Sequence, residues 1–223
     1  MSFRGIPESE WLRSRPKDWG DVVAYARYLR EERNRPRKSL LALCAMCRAS
    51  WHLVEEECNR RALEGSENYA DGAISRSEFE ERWRSTRFEP AIHCEWVCDA
   101  AGSAERLANW SPLNERDRAA LAEFHLQNSN ETRSVITSQG YHMAMDVLDF
   151  DFFGSEFRPE WRTSTVVALA REIYYSRDHA MMPVLADALE DAGCDDERVL
   201  GHCRGPGLHV RGCWVVDCVL GKE

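Results

Sequence analysis

No stretch of the chain approaches eighteen consecutive apolar residues, so nothing in it is expected to span a bilayer. The opening residues, MSFRGIPESEWLRSRPKDWG, lack the apolar centre of a secretory signal, which makes a cytoplasmic setting the expectation. Basic residues are the minority: 29 Lys and Arg stand against 38 Asp and Glu, for a net charge of -9. A field of that sign repels phosphate, which argues against nucleic acid and anionic membrane surfaces as partners. The short motifs of common chemistries are missing as well. There is no G-x-S-x-G, no phosphate-cradling G-x-x-x-x-G-K-[ST], no H-E-x-x-H and no dinucleotide fingerprint. No catalytic residue is therefore expected, and no fixed-period repeat points to a solenoid.

What is present is a core-forming composition. The 223 residues are 43% hydrophobic and 30% charged, which argues against global disorder. Nine cysteines are an odd number, and without an export signal they read as reduced thiols.

Apolar spacing is helical nearly throughout, which predicts an all-α protein, an irregular multi-helix bundle. Val22, Val23, Ala26 and Leu29 share one face. Leu40, Leu43, Cys44, Cys47 and Trp51 fall at i, i+3, i+4, i+7 and i+11 and form the most apolar stripe. A helix ending near Gly72 follows, then one opened by Ser75 and Glu78 in capping-box spacing. Ser111 and Pro112 open a further helix in a middle that is harder to read. The last quarter is the most regular. Thr163 caps a helix burying Val166, Leu169, Ala170, Ile173 and Tyr174. Pro183 sits in the first turn of the next, Gly193 stops it, and Asp195 caps a short helix with Val199, Leu200 and Cys203 inward. Gly205 ends that helix, and Gly205-Pro206-Gly207 makes a turn in which Gly207 permits a positive φ. Residues 210–220 fit helix or strand on propensity alone; helix is expected. The organisation expected is an N-terminal helical region (1–84), a variable helical middle (85–150) and a C-terminal helical subdomain (151–223), within one compact domain overall.

Three groups of metal- or redox-type residues stand out. Cys44 and Cys47 form a C-x-x-C, but mid-helix on an apolar stripe and without a turn, so they read as core. His93, Cys94 and Cys98 have the same bland reading. The third is HCRGPGLHVRGCWVVDCVLG, residues 202–221. His209 and Cys213 at i, i+4 could pair on a metal with Cys203 as a third ligand, while His202 and Cys203, adjacent on a helix, diverge by about 100°. That set is incomplete, so no metal and no cofactor are expected. The functional alternative here is an anion site: His202, Arg204, Gly205, Gly207, His209 and Arg211 flank a turn whose N–H groups favour phosphate or carboxylate. In that reading both histidine rings face solvent, while Trp214 anchors a face shared with Val210, Cys213 and Cys218. Trp11 and Trp19, in polar surroundings, are candidates for an exposed contact.

DFFGSEFRPEW, TSTVVALAREIY and MMPVLADALEDAGCDDERVLGHCRGPGLHVRGCWVVDCVLGKE, spanning about 151–223, resemble a large paralogous family of planctomycete proteins with no established activity. LALCAMCRASWHLVEEECNRRALEGSENYADG is similar to a second segment of that family. FGSEF departs from the family's usual FGNPF. The resemblance implies a shared helical fold in a bacterial cytoplasm and implies no activity. The expectation is a non-catalytic helical interaction or scaffold module binding another protein. The alternatives are an anion- or nucleotide-recognising domain using 202–211, and an enzyme of unrecognised type, zinc-dependent in one version.

Overall fold

The computed structural model describes residues 2–3, 6–7, 22, 25–26, 28–30, 34–49, 51, 57–85, 138–148 and 157–222. The fold is all-α, as a multi-helix bundle. Its one strand pairing among the described residues is short: β1 (Ser2–Phe3) lies antiparallel to β2 (Ile6–Pro7), with Ser2 opposite Pro7 and Phe3 opposite Ile6. The chain divides into two units, Asp18–Ala144 and a second made of Met1–Lys17 with Met145–Glu223. No described helix is long and apolar enough to cross a membrane.

Within Asp18–Ala144, residues 22, 25–26 and 28–30 are helical, and Val22, Ala26 and Leu29 are buried as their spacing predicts. Helix α1 (Pro36–Arg48) starts on a proline, which suits a position whose N–H has no helical partner. It is buried on all sides from Lys38 to Cys47, so the expected stripe is a whole buried surface. It also stops before Trp51, which lies in a following turn against the Arg48 guanidinium, 4.0 Å from ring centre. Helix α2 (Glu57–Ala70) runs alongside. Arg48 donates from Nε and Nη2 to the two carboxylate oxygens of Glu67 at 2.8 and 2.7 Å. Helix α3 (Arg76–Arg84) opens with the complete Ser75/Glu78 capping box. Its Trp83 indole donates to Ser66 at 2.9 Å, and Phe79 stacks on Tyr69.

Residues 138–148 form α4, whose last four residues belong to the second unit. That unit also holds α5 (Ser164–Ser176), α6 (Met182–Asp191), α7 (Glu197–Arg204) and α8 (Trp214–Leu220). Thr163 caps α5 by accepting from Val166 N–H, and Gly193 leaves α6 at φ 84°. The cap of α7 is Asp196, one residue beyond the expected Asp195, which instead pairs with Arg158. Leu169 is only partly buried, beside a core built on Trp161, Val166, Ile173, Leu185, Leu189 and Trp214. The chain leaves α7 at Gly205, where a Cβ would come within 3.0 Å of the Gly201 carbonyl oxygen. Gly207 does not take a positive φ; that conformation falls to Gly212 (φ 93°), just ahead of α8. The expected helix over 210–220 begins only at Trp214, and Val210 lies outside it. The buried face is Trp214, Val215, Val216, Asp217 and Val219, whereas Cys218 is partly exposed. Trp11, Trp19, His93, Cys94, Cys98, Ser111 and Pro112 lie outside the described residues.

Candidate metal centre

One polar cluster stands inside the C-terminal unit. Asp146 sits on α4 among Ala144, Met145, Val147 and Leu148, all buried. His202 projects from α7, while His209 comes from the segment between α7 and α8. Cys213 is the residue before α8. A ligand-type atom from each of Asp146, His202, His209 and Cys213 lies within 4.8 Å of every other.

The contacts converge on the carboxylate. Its Oδ1 lies 3.0 Å from His202 Nε2 and 2.9 Å from His209 Nδ1. Its Oδ2 accepts the Val210 N–H at 2.8 Å. Cys213 Sγ is 3.2 Å from His202 Nε2 and 3.9 Å from His209 Nδ1. The side chains of Asp146, His209 and His202 are 4%, 5% and 16% exposed, so His202 is the one nearest solvent. On the far side of His202, the Trp214 indole N–H donates to Nδ1 at 3.1 Å. His209 Nε2 is buried and has no hydrogen-bond partner.

Electrostatics follow from this packing. Burial pushes the Asp146 carboxyl up, but the hydrogen bonds from His202 and His209 and their electrostatic attraction more than offset it and hold the group at about 2. Burial, with the Asp146 carboxylate adding to it, raises the Cys213 thiol well above its ordinary value, although the N–H groups of Val215 and Val216 point at the sulfur and act the other way. Burial likewise pushes Cys203 to about 12. His179, whose ring centre is 6.4 Å from that of His209, is lowered by burial first.

The donor set fits a tetrahedral divalent ion. Bonds of about 2.0–2.1 Å to nitrogen and oxygen and about 2.3 Å to sulfur place neighbouring ligand atoms roughly 3.3–3.6 Å apart. Four of the six distances among these atoms, at 2.9–3.9 Å, lie within a few tenths of an ångström of that, and the other two lie within 4.8 Å, so the set closes on an ion by a modest contraction. Two imidazoles, a thiol and one carboxylate suit zinc or cobalt and are a poor match to magnesium or calcium, which take oxygen.

Sequence reasoning reached part of this set. His209 and Cys213 do pair, and His202 and Cys203 do diverge: Cys203 enters the apolar core and His202 takes the place it was offered. Asp146 was missed. Its signal was a single carboxylate inside the apolar run Ala144–Leu148, a burial that requires a partner. The expectation that His202 and His209 face solvent is corrected: both face Asp146. The residues expected at an anion do not assemble around one. Arg204 reaches Asp187 at 2.8 Å and also Glu190, and the Arg211 guanidinium lies 5.3 Å from the Tyr174 ring centre. Gly205 and Gly207 shape the connection, and the anion that the two histidines meet is the chain's own. Cys44 and Cys47 are buried in α1, as expected of core thiols. The seven cysteines among the described residues are free.

The C-terminal unit is thus helical, with a buried cluster of Asp146, His202, His209 and Cys213. Comparison with known proteins finds no family model, no curated protein and no solved structure that matches the chain.

Proposed function

We propose that the C-terminal unit is a metal-binding helical module whose centre takes a zinc-type ion through Asp146, His209 and Cys213, with His202 in reach. This reverses the expectation of no metal. The observation that carries it is the convergence, from three separate chain segments, of four side chains of metal-ligand type. The thiol is the telling member. A hydrogen-bonded Asp–His–His cluster has no need of a sulfur beside a carboxylate, whereas a cation there neutralises both and turns the thiol into a ligand. Ligand side chains this deeply buried suit an ion that ties chain segments together. A role in protein interaction or scaffolding, in a bacterial cytoplasm as the planctomycete resemblance implies, belongs with this proposal.

The test is zinc titration of the purified chain against a chromophoric chelator, with Asp146→Ala and Cys213→Ser beside it. One equivalent bound by the wild type, with affinity lost in both variants, is the expected result. If the wild type takes up no zinc or cobalt, the cluster is a metal-free clamp, in which Trp214 donates to His202 and both histidines donate to Asp146.

A further inference from the structure

We propose that Trp214 is a positioning residue that keeps His202 off the ion, so that one coordination position stays open to a small exchangeable ligand. This rests on the metal-binding reading. An imidazole nitrogen that accepts a hydrogen bond carries no proton, and the Trp214 indole points its N–H at His202 Nδ1 at 3.1 Å. The ring's proton is therefore on Nε2, the nitrogen 3.0 Å from Asp146 Oδ1 and 3.2 Å from Cys213 Sγ. A protonated nitrogen cannot ligate. For His202 to bind through Nε2 its proton would have to move to Nδ1, and two N–H donors would then face each other. Histidine ligands ordinarily donate their second nitrogen to a carboxylate or carbonyl; here that nitrogen meets another donor. The indole is 5% exposed, and its ring centre lies 5.1 Å from that of His202.

Asp146, His209 and Cys213 then hold the ion. The fourth position lies on the His202 side, nearest solvent, where Nε2–H can donate to whatever occupies it. A water molecule or a small monodentate anion fits that description: it offers a lone pair to the metal and another to His202. The anion expectation for this stretch returns in a different form, with His202 as the donor and the ion as the counter-charge.

The experiment compares wild type, Trp214→Phe, His202→Ala and the double variant, each loaded with cobalt and titrated with azide, with zinc affinity measured in parallel. A fifth protein carries 3-benzothienylalanine at 214, which keeps the indole's shape without its N–H, so that a folding defect in Trp214→Phe does not decide the outcome. Nitrogen-15 shifts of His202 in the metal-free chain report the proton position directly. In wild type we expect the Nε2–H tautomer, azide binding that changes the cobalt spectrum, and less than about a threefold zinc effect of His202→Ala. Removing the indole N–H should tighten zinc by about tenfold, abolish the azide response and make His202 a ligand, the reverse of the usual loss on disturbing an outer-shell partner. An Nδ1–H tautomer in wild type overturns the inference, as does an unchanged or weaker zinc affinity once the N–H is gone. No cobalt or zinc uptake by any of the five sinks the metal reading and this inference with it. Uptake without an azide response in wild type sinks this inference alone.

Discussion

Two buried carboxylates, Glu67 in α2 and Asp146 in α4, are each 4% exposed and are satisfied in opposite ways. Glu67 meets Arg48, which reaches both its oxygens with two parallel N–H donors and keeps its charge at any pH the protein meets. Asp146 meets two histidines and a backbone N–H, with the Cys213 thiol within 4.8 Å. Each of the side-chain partners can give up or move a proton, and each can turn from hydrogen-bonding partner to metal ligand. The first arrangement is complete as it stands. The second is adaptable, and the difference lies in the partners, since the acids and their burial are alike.

Removing the fixed partner should give the largest effect. Arg48→Ala removes the two-pronged charged contact to the buried Glu67, and we expect a loss of about 3–5 kcal/mol in denaturant melts. Arg48→Lys should recover only part of it, because an ammonium cannot make the two-pronged contact. Asp146→Ala should cost less in the absence of metal, about 1–3 kcal/mol, since it strands neutral donors rather than breaking a two-pronged charged contact. Equal losses from Arg48→Ala and Asp146→Ala would erase the distinction between the two sites.

Zinc should act on one site only. At about 100 times its dissociation constant, a ligand that binds only the folded chain adds about 2.7 kcal/mol. We expect that gain in wild type and in Arg48→Lys and none in Asp146→Ala or Cys213→Ser, read as a shift in thermal midpoint reversed by chelator.

Acid should also separate the sites. The folded Asp146 carboxyl is depressed to about 2, below the value of about 3.9 for an unfolded Asp. Its contribution is therefore fully present above about pH 4 and is lost as pH falls towards 2, about 2 kcal/mol over that window. Metal-free wild type should lose stability there by that amount more than Asp146→Ala does. The smallest effects belong outside both sites. Arg204→Ala, at an exposed contact with Asp187 and Glu190, should leave the thermal midpoint in place. Cys203, fully buried with its thiol pushed to about 12, should resist alkylation in the native chain, while the partly exposed Cys58 and Cys218 react.

What could be read from sequence was what is locally encoded. Thr163, Pro183, Gly193 and the Ser75/Glu78 box mark helix ends because a cap or stop depends on a few neighbouring residues. The helix of α1 was legible but not its burial on every side, since Lys38 and Ser39 read as polar and only tertiary packing encloses them. At the site, His209 with Cys213 was visible as a same-segment pair. Asp146 stands 63 residues from His209, and no local rule joins residues across that gap. His202 and His209 were assigned to solvent because histidines beside a Gly-Pro-Gly turn resemble a loop's polar rim. The carboxylate that draws them inward is supplied from another helix.

The separation of Asp146 from His209 also has a consequence in time. Chains leave the ribosome N-terminus first, at about 5–20 residues per second, so the 63 residues between them take several seconds to appear. Until His202 emerges, Asp146 is without the side-chain partners it has in the folded chain. Only when Cys213 emerges are all four donors present. The newborn protein therefore assembles this cluster late in its synthesis, after the last quarter of the chain has emerged.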